Sequence, residues 1–212
     1  MSPSPTPLCL HAIVLADGHA LPEVPGATGG LKLVSYRDVA AVVSDQKTFA
    51  LEDVDSARIE LHRAIVDTLF HSVPVLPAPV GVVFRSADAI NRWMELHYVS
   101  LTGALEFLED RAAARVHISA ATAGASRGVD ADIANAANEA VRALRRSAVM
   151  AIPLMFDPST GRVSSAAFLV ERENWKNFLR AVADQHEAHH ALKFDVTGPW
   201  APYDFVQMQF GS

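Results

Sequence analysis

Two α+β domains are what the 212 residues predict, and three observations point to them. Half of the residues are hydrophobic and a fifth are charged, enough to bury a core in one large or two small domains. The first half alternates short apolar runs with two stretches of helical three-and-four spacing. The second half reads strand, helix, strand, turn, strand, helix, strand with short connections.

The elements of the first half follow in order. Residues 9–15 form an apolar run that reads as a strand, followed by a loop rich in Gly and Pro up to Gly30. "LKLVSY" and "VAAVVS" are two short strands separated by Arg37-Asp38 at a turn. "DVDSARIELHRAIVDTLF" places Val54, Ala57, Leu61, Ile65 and Leu69 at amphipathic-helix spacing, with His62 reading as a boundary residue. "VPVLPAPVGVVF" reads as an extended entry to a buried strand from Val80 to Phe84. Pairing is expected to begin after Pro77 and Pro79, which cannot donate to a central ladder. Ser86 is placed as the N-cap of a long helix to about Leu108, with Trp93, Leu96, Leu101, Leu105 and Leu108 on its apolar face.

A domain change is expected near Asp110, giving domains 1–110 and 111–212. Beyond it, "ARVHISA" is a strand, "VDADIANAANEAVRALRRS" a helix and "AVMAIPLMF" a strand. "DPSTG" then turns the chain into the strand "RVSSAAFLV", the helix "RENWKNFLRAVADQHEAHH" and the strand "ALKFDV". This β-α-β-β-α-β order is that of a ferredoxin-like split βαβ unit, whose two helices cover one face of an antiparallel sheet.

Composition excludes several classes. A net charge of −6 is the wrong sign for nucleic acid, and the cluster Arg142, Arg145, Arg146 complements a helix C-terminus. The single cysteine, Cys9, cannot form an intramolecular disulfide and reads as a small buried hydrophobe. No Lys or Arg precedes Lys32, so a basic secretory leader is not expected, and no apolar run reaches the ~18 residues of a membrane span. The expectation is a soluble cytoplasmic protein. Phosphate-binding glycine loops and the nucleophile-elbow pattern are absent.

"DQHEAHH", residues 184–190, contains His186-Glu187-x-x-His190. On a helix this spacing can put two imidazoles on a zinc ion and a carboxylate beside its bound water. A catalytic zinc needs a third protein ligand, and downstream only Asp195 and Asp204 remain. The string reads as a polar helix end, and neither a metal nor another cofactor is expected. A zinc metallopeptidase is the weakest functional alternative.

"TGPWAPYDFV", residues 197–206, reads physically as a strand end, a Gly-Pro turn and an extended tail. Its aromatics Trp200, Tyr203 and Phe205 suit a tail packed back on the core. The stretch closely resembles the C-terminal signature Gly-Pro-Trp-x-Pro-Tyr-x-Phe-Val of the gas vesicle GvpL/GvpF family. "HAIVLA" with "LPEVPG", "YRDVAAVVSD", "HRAIVDTLFHSVPVLPAPVGVVFRS" and "AAFLVERENWKNF" resemble other family segments in the same order, so the resemblance spans about residues 9–206. Departures are Ala78-Pro79-Val80-Gly81, where the family usually has Met-Arg-Phe-Gly, and "DRAAARVHI" in place of Glu-Trp-Gly-Val-Lys.

The resemblance implies a non-enzymatic accessory protein of gas vesicle assembly with two α+β domains, the second a modified ferredoxin-like unit. It implies binding to the small hydrophobic shell protein and to other accessory gas vesicle proteins, and a place on the vesicle, in some members at the gas-facing surface. A small-ligand binding module on a ferredoxin-like sheet is the alternative. The residues offered for partner binding or structure are Val75 and Val80, beside the prolines, and Gly198, Pro199, Trp200, Pro202, Tyr203 and Phe205 of the signature. No contact with nucleic acid or membrane is expected.

Overall fold

The computed structural model describes residues 6–16, 21, 24, 30–46, 55–121 and 131–206. The expected loop between residues 16 and 30 lies largely outside them, as does Val54. Among the described residues, those up to Glu109 together with Val206 form one compact unit, and Asp110–Phe205 form another.

The first unit is an antiparallel sheet with two helices. Its strands are β1 (Leu8–Leu15), β2 (Lys32–Tyr36), β3 (Val39–Asp45), β4 (Val75–Pro77) and β5 (Val83–Phe84), in the order β2-β3-β1-β4 with β5 also on β1. β1 is therefore central, and the apolar run Leu8–Val14 is buried throughout. Leu10 and Ile13 are completely buried, and each stabilises the unit by about 1.5–3 kcal/mol. β2 and β3 join through Arg37-Asp38, where Arg37 adopts φ 54°.

Helix α1 (Ser56–Phe70) starts at Asp55, whose carboxylate accepts from the Arg58 N–H at 2.8 Å. Its buried face is His62, Ile65, Val66, Leu69 and Phe70. That face lies about one position round from the one expected: Ala57 is exposed, Leu61 is half-buried and His62 is inside rather than at a boundary. Helix α2 (Ala87–Leu108) is capped by Ser86, whose hydroxyl accepts from the Ala89 N–H at 3.2 Å. It buries Ile90, Trp93, Met94, Leu101, Leu105 and Leu108. Leu96, expected on that face, is instead 82% exposed.

The proline-rich segment also differs from expectation. Pairing starts before the prolines: Val75, Leu76 and Pro77 lie opposite Val14, Ile13 and Ala12 of β1. β4 has a neighbour on one side only, so an outward-facing proline nitrogen forfeits no ladder bond. The chain then turns through Gly81 (φ 87°) and returns to β1 as the two-residue β5.

The second unit runs β6 (Arg111–Ala120), α3 (Ala131–Leu144), β7 (Met150–Pro153), β8 (Arg162–Glu171), α4 (Trp175–Ala188) and β9 (Leu192–Trp200). Its sheet order is β7-β8-β6-β9, and every neighbour is antiparallel. Alternate residues Ala114, Val116 and Ile118 of β6 and Ala166, Phe168 and Val170 of β8 join one core with both helices. Ala137 and Ala140 of α3 present no bulk, so that helix lies close on the sheet, while Phe178 of α4 meets Phe168 with ring centroids 5.3 Å apart.

Candidate functional site

The Gly-Pro-Trp stretch is not a turn after a strand, as expected, but the end of β9 itself. Thr197 lies opposite Arg115 and Trp200 opposite Ala113, so Gly198 and Pro199 together face Ala114 in a bulge. The Gly198–Pro199 peptide bond is cis. Gly198 has φ 132°, and a Cβ there would stand 2.7 Å from the Ala113 carbonyl oxygen and 2.9 Å from Cη2 of Trp175. Only glycine fits both the backbone angle and the space.

After β9, Ala201 and Pro202 are buried, and Tyr203–Phe205 make a single 3-10 turn. Asp204 in that turn accepts from Nε and Nη2 of Arg115 at 2.8 and 2.9 Å. This bidentate pair ties the turn to the middle of β6. Gly198 and Pro199 are exposed, and Trp200, Tyr203 and Phe205 are half-buried rather than sunk in the core.

The histidine string divides at the helix end. α4 stops at Ala188, His189 is its C-cap, and His190 lies beyond it, so His186 and His190 do not share a helix face. The His186 ring packs edge-on against Phe194, with centroids 6.1 Å apart. Among the described residues, no group of three His, Cys, Asp or Glu side chains is arranged to hold a metal ion. Of the two downstream aspartates, Asp195 sits opposite His117 in the sheet and Asp204 is engaged by Arg115.

The two valines beside the prolines differ in access. Val75 is 2% exposed and cannot meet a partner in the folded chain, whereas Val80 is 39% exposed next to exposed Pro79. Cys9 is buried, and burial raises its thiol pKa despite nearby Arg58.

A buried polar chain was missed by the sequence reading. The β1–β3 register slips between Leu10 and Ala12, leaving His11 as the bulged residue. His11 Nδ1 lies 3.2 Å from Nδ1 of His62 on α1, and His11 Nε2 lies 2.9 Å from the Ser44 hydroxyl on β3. His11 and His62 are 3% and 2% exposed. Burial, then the neighbouring His62, hold His11 down at about 3. Burial also lowers His62, against the opposing effect of a hydrogen bond to the Ala78 backbone.

Both rings are therefore neutral at pH 7, with one N–H each. One of the two Nδ1 atoms carries the proton that lies between the rings. The chain Ser44–His11–His62 links β3, β1 and α1. The signal for it was the spacing of His62 from Ile65, Val66 and Leu69, which puts it on their face.

Comparison with known proteins covers both units. A family model described as "Gas vesicle synthesis protein GvpL/GvpF" matches residues 8–149 and 118–207. The chain is 27% identical over 206 residues to gas vesicle protein F2 of Halobacterium salinarum, covering 94% of this chain and 92% of that one. It is 25% identical over 198 residues to gas vesicle protein F of Haloferax mediterranei, covering 90% and 89%. The fold is similar to the crystal structure of GvpF from Anabaena sp. PCC7120, with a TM-score of 0.79 at 15% identity over 96% of this chain and 99% of that one. GvpF from Microcystis aeruginosa gives 0.74 at 14% identity, over 96% and 100%. With one family's model spanning both units, the chain belongs to the gas vesicle synthesis protein GvpL/GvpF family, a family of gas vesicle formation.

Proposed function

We propose that this chain is a non-enzymatic accessory protein of gas vesicle assembly, which holds the hydrophobic shell protein and other gas vesicle proteins and remains with the vesicle as a minor component. The observation that carries this reading is the family match, which runs in order through both units. The antiparallel order β7-β8-β6-β9 supports reading the second unit as a ferredoxin-like domain that begins near Asp110. The Gly198–Phe205 stretch then acts as a structural brace, because its fixed points are Gly198 against Ala113 and Asp204 against Arg115.

Fold does not supply the partner surface, so that must come from exposed groups. β7 is an edge strand, and the run Val149–Phe156 carries no charge. Val149, Met150 and Met155 on it are 42%, 43% and 101% exposed. Leu154 donates to the Ser165 carbonyl, so by alternation Pro153 faces outward and leaves Ala151 as the neighbouring edge donor. An uncharged edge with apolar side chains suits one further extended apolar segment. Val80 and Pro79 are the second candidate.

Co-expression with the cognate shell protein, pull-down and a crosslinking map test the reading. Met155→Glu and Val80→Glu should weaken capture while circular dichroism stays unchanged. Failure to associate with any gas vesicle protein, in an intact fold, would remove the assembly role in favour of small-ligand binding. Stoichiometric zinc in purified protein, lost together with function in His186→Ala, would favour the peptidase alternative.

A further inference from the structure

The outward face of α2 carries apolar side chains that the described residues leave exposed. Leu96 and Val99 are each 82% exposed, one helical turn apart and opposite the buried face. At 100° per residue, Arg92, Leu96, Val99, Gly103 and Glu106 fall within an arc of about 80°. All five are exposed. Two neighbouring aliphatics at the most solvated part of an amphipathic helix are unexpected, since that position normally carries charge.

Gly103 gives an independent indication. It lies in the middle of a 22-residue helix, and a Cβ there would meet nothing within 4 Å. Alanine would fit the chain as well and would favour the helix. Among the described residues nothing requires glycine there, but it lets a second helix approach closely.

The arrangement is also self-complementary. We propose that α2 pairs with α2 of a second copy of this chain, antiparallel about a two-fold axis at Val99. In an antiparallel pair, residues equidistant from the axis face each other. Arg92 and Glu106 are each seven residues from Val99, so each arginine meets the partner's glutamate, twice by symmetry. Leu96, three residues before the axis, meets the partner copy's helix at Gly103, four residues after it, and fills the notch. Helices in such pairs lie roughly 8–10 Å apart, a separation that a glycine at the crossing permits. Glu95 borders the stripe and stays at the solvated rim. The pair is a small interface, below the size of standard stable complexes, so the dimer is concentration-dependent.

Sedimentation velocity of the full chain from about 5 to about 200 µM is the test. The weight-average mass should rise from 22.8 kDa toward twice that value. Val99→Asp should hold it at the monomer mass with an unchanged circular dichroism spectrum and melting temperature. Arg92→Glu should weaken association about tenfold, and adding Glu106→Arg should restore it. A monomer mass at every concentration overturns the proposal, and loss of shell-protein capture by Val99→Asp in such a monomer would assign the face to that partner instead. A dimer that survives Val99→Asp, or a charge swap that fails to rescue, also overturns it.

Discussion

Lowering the pH from 8 to 5 should destabilise the first unit by about 2 kcal/mol through His11 alone. In the unfolded chain this imidazole titrates near 6.5, whereas in the fold burial and then His62 hold it at about 3. A base whose folded pKa is depressed takes up its proton first in the unfolded state. Stability is therefore complete above 6.5, falls progressively as the pH drops toward 3, and is then constant. At pH 5 the unfolded imidazole is protonated by about 30 to 1 and the folded one is not; 1.36 kcal/mol per unit over about 1.5 units gives the 2 kcal/mol. His62, also lowered by burial, adds in the same direction.

Hydrogen exchange of the β1 and α1 amides, at both pH values and corrected for intrinsic rates, reads the opening free energy of this unit. The same measurement on His11→Asn supplies the reference. That variant starts less stable, but its pH slope should be smaller by about 2 kcal/mol between pH 8 and 5. The chain has nine histidines, so seven lie outside the pair, and their contributions are present in both proteins and cancel. Equal slopes in the two proteins would refute the buried, neutral assignment of His11.

Other expectations follow from single sites. Gly198→Ala should lower the melting temperature, at a cost of about 2–4 kcal/mol, because its Cβ would stand 2.7 Å from the Ala113 carbonyl oxygen at a φ of 132°. Val75→Asp should unfold the first unit by burying an unpaired charge, while Val80→Asp should change stability by less than about 0.5 kcal/mol; urea titrations distinguish them. Arg115→Ala should cost about 1 kcal/mol and speed exchange at Asp204 and Phe205, because it releases the carboxylate that anchors the final 3-10 turn.

Legibility in the sequence followed the physics of each segment. The start of α2 is set locally, and Ser86 is the N-cap the sequence proposed; α4 also falls inside the helical stretch it placed there. The histidine string was read as a polar helix end, and the helix ends inside it. The prolines misled because the ban on proline holds for central ladders, and sequence does not say that β4 has one free side. Val75 was offered as a surface residue for the same reason. Leu96 was put inside because periodicity identifies a stripe but not its boundary, and at 82% exposed it lies on the opposite face. The His11–His62–Ser44 contacts join residues 33 and 51 apart through a bulge, so no local pattern predicts them, although the register of His62 on its helix was readable.

The central place of β1 has a consequence for how the protein is made. β1 leaves the ribosome before the other described strands, and β3, ending at Asp45, completes its pairing on one side. Its other side waits for β4 and β5, the last of which ends at Phe84, 39 residues later by subtraction (84 − 45). At synthesis rates of about 5–20 residues per second, that interval lasts roughly two to eight seconds. Throughout it, the nascent chain presents an open edge of Leu, Cys, Ile and Val backbone with no charge along it. A neighbouring chain on the same polysome offers an identical edge, so the length of the segment between β3 and β4 sets a window for mispairing during translation. Slower codons placed between 46 and 74 would widen that window, and their effect would show as insoluble product at unchanged equilibrium stability.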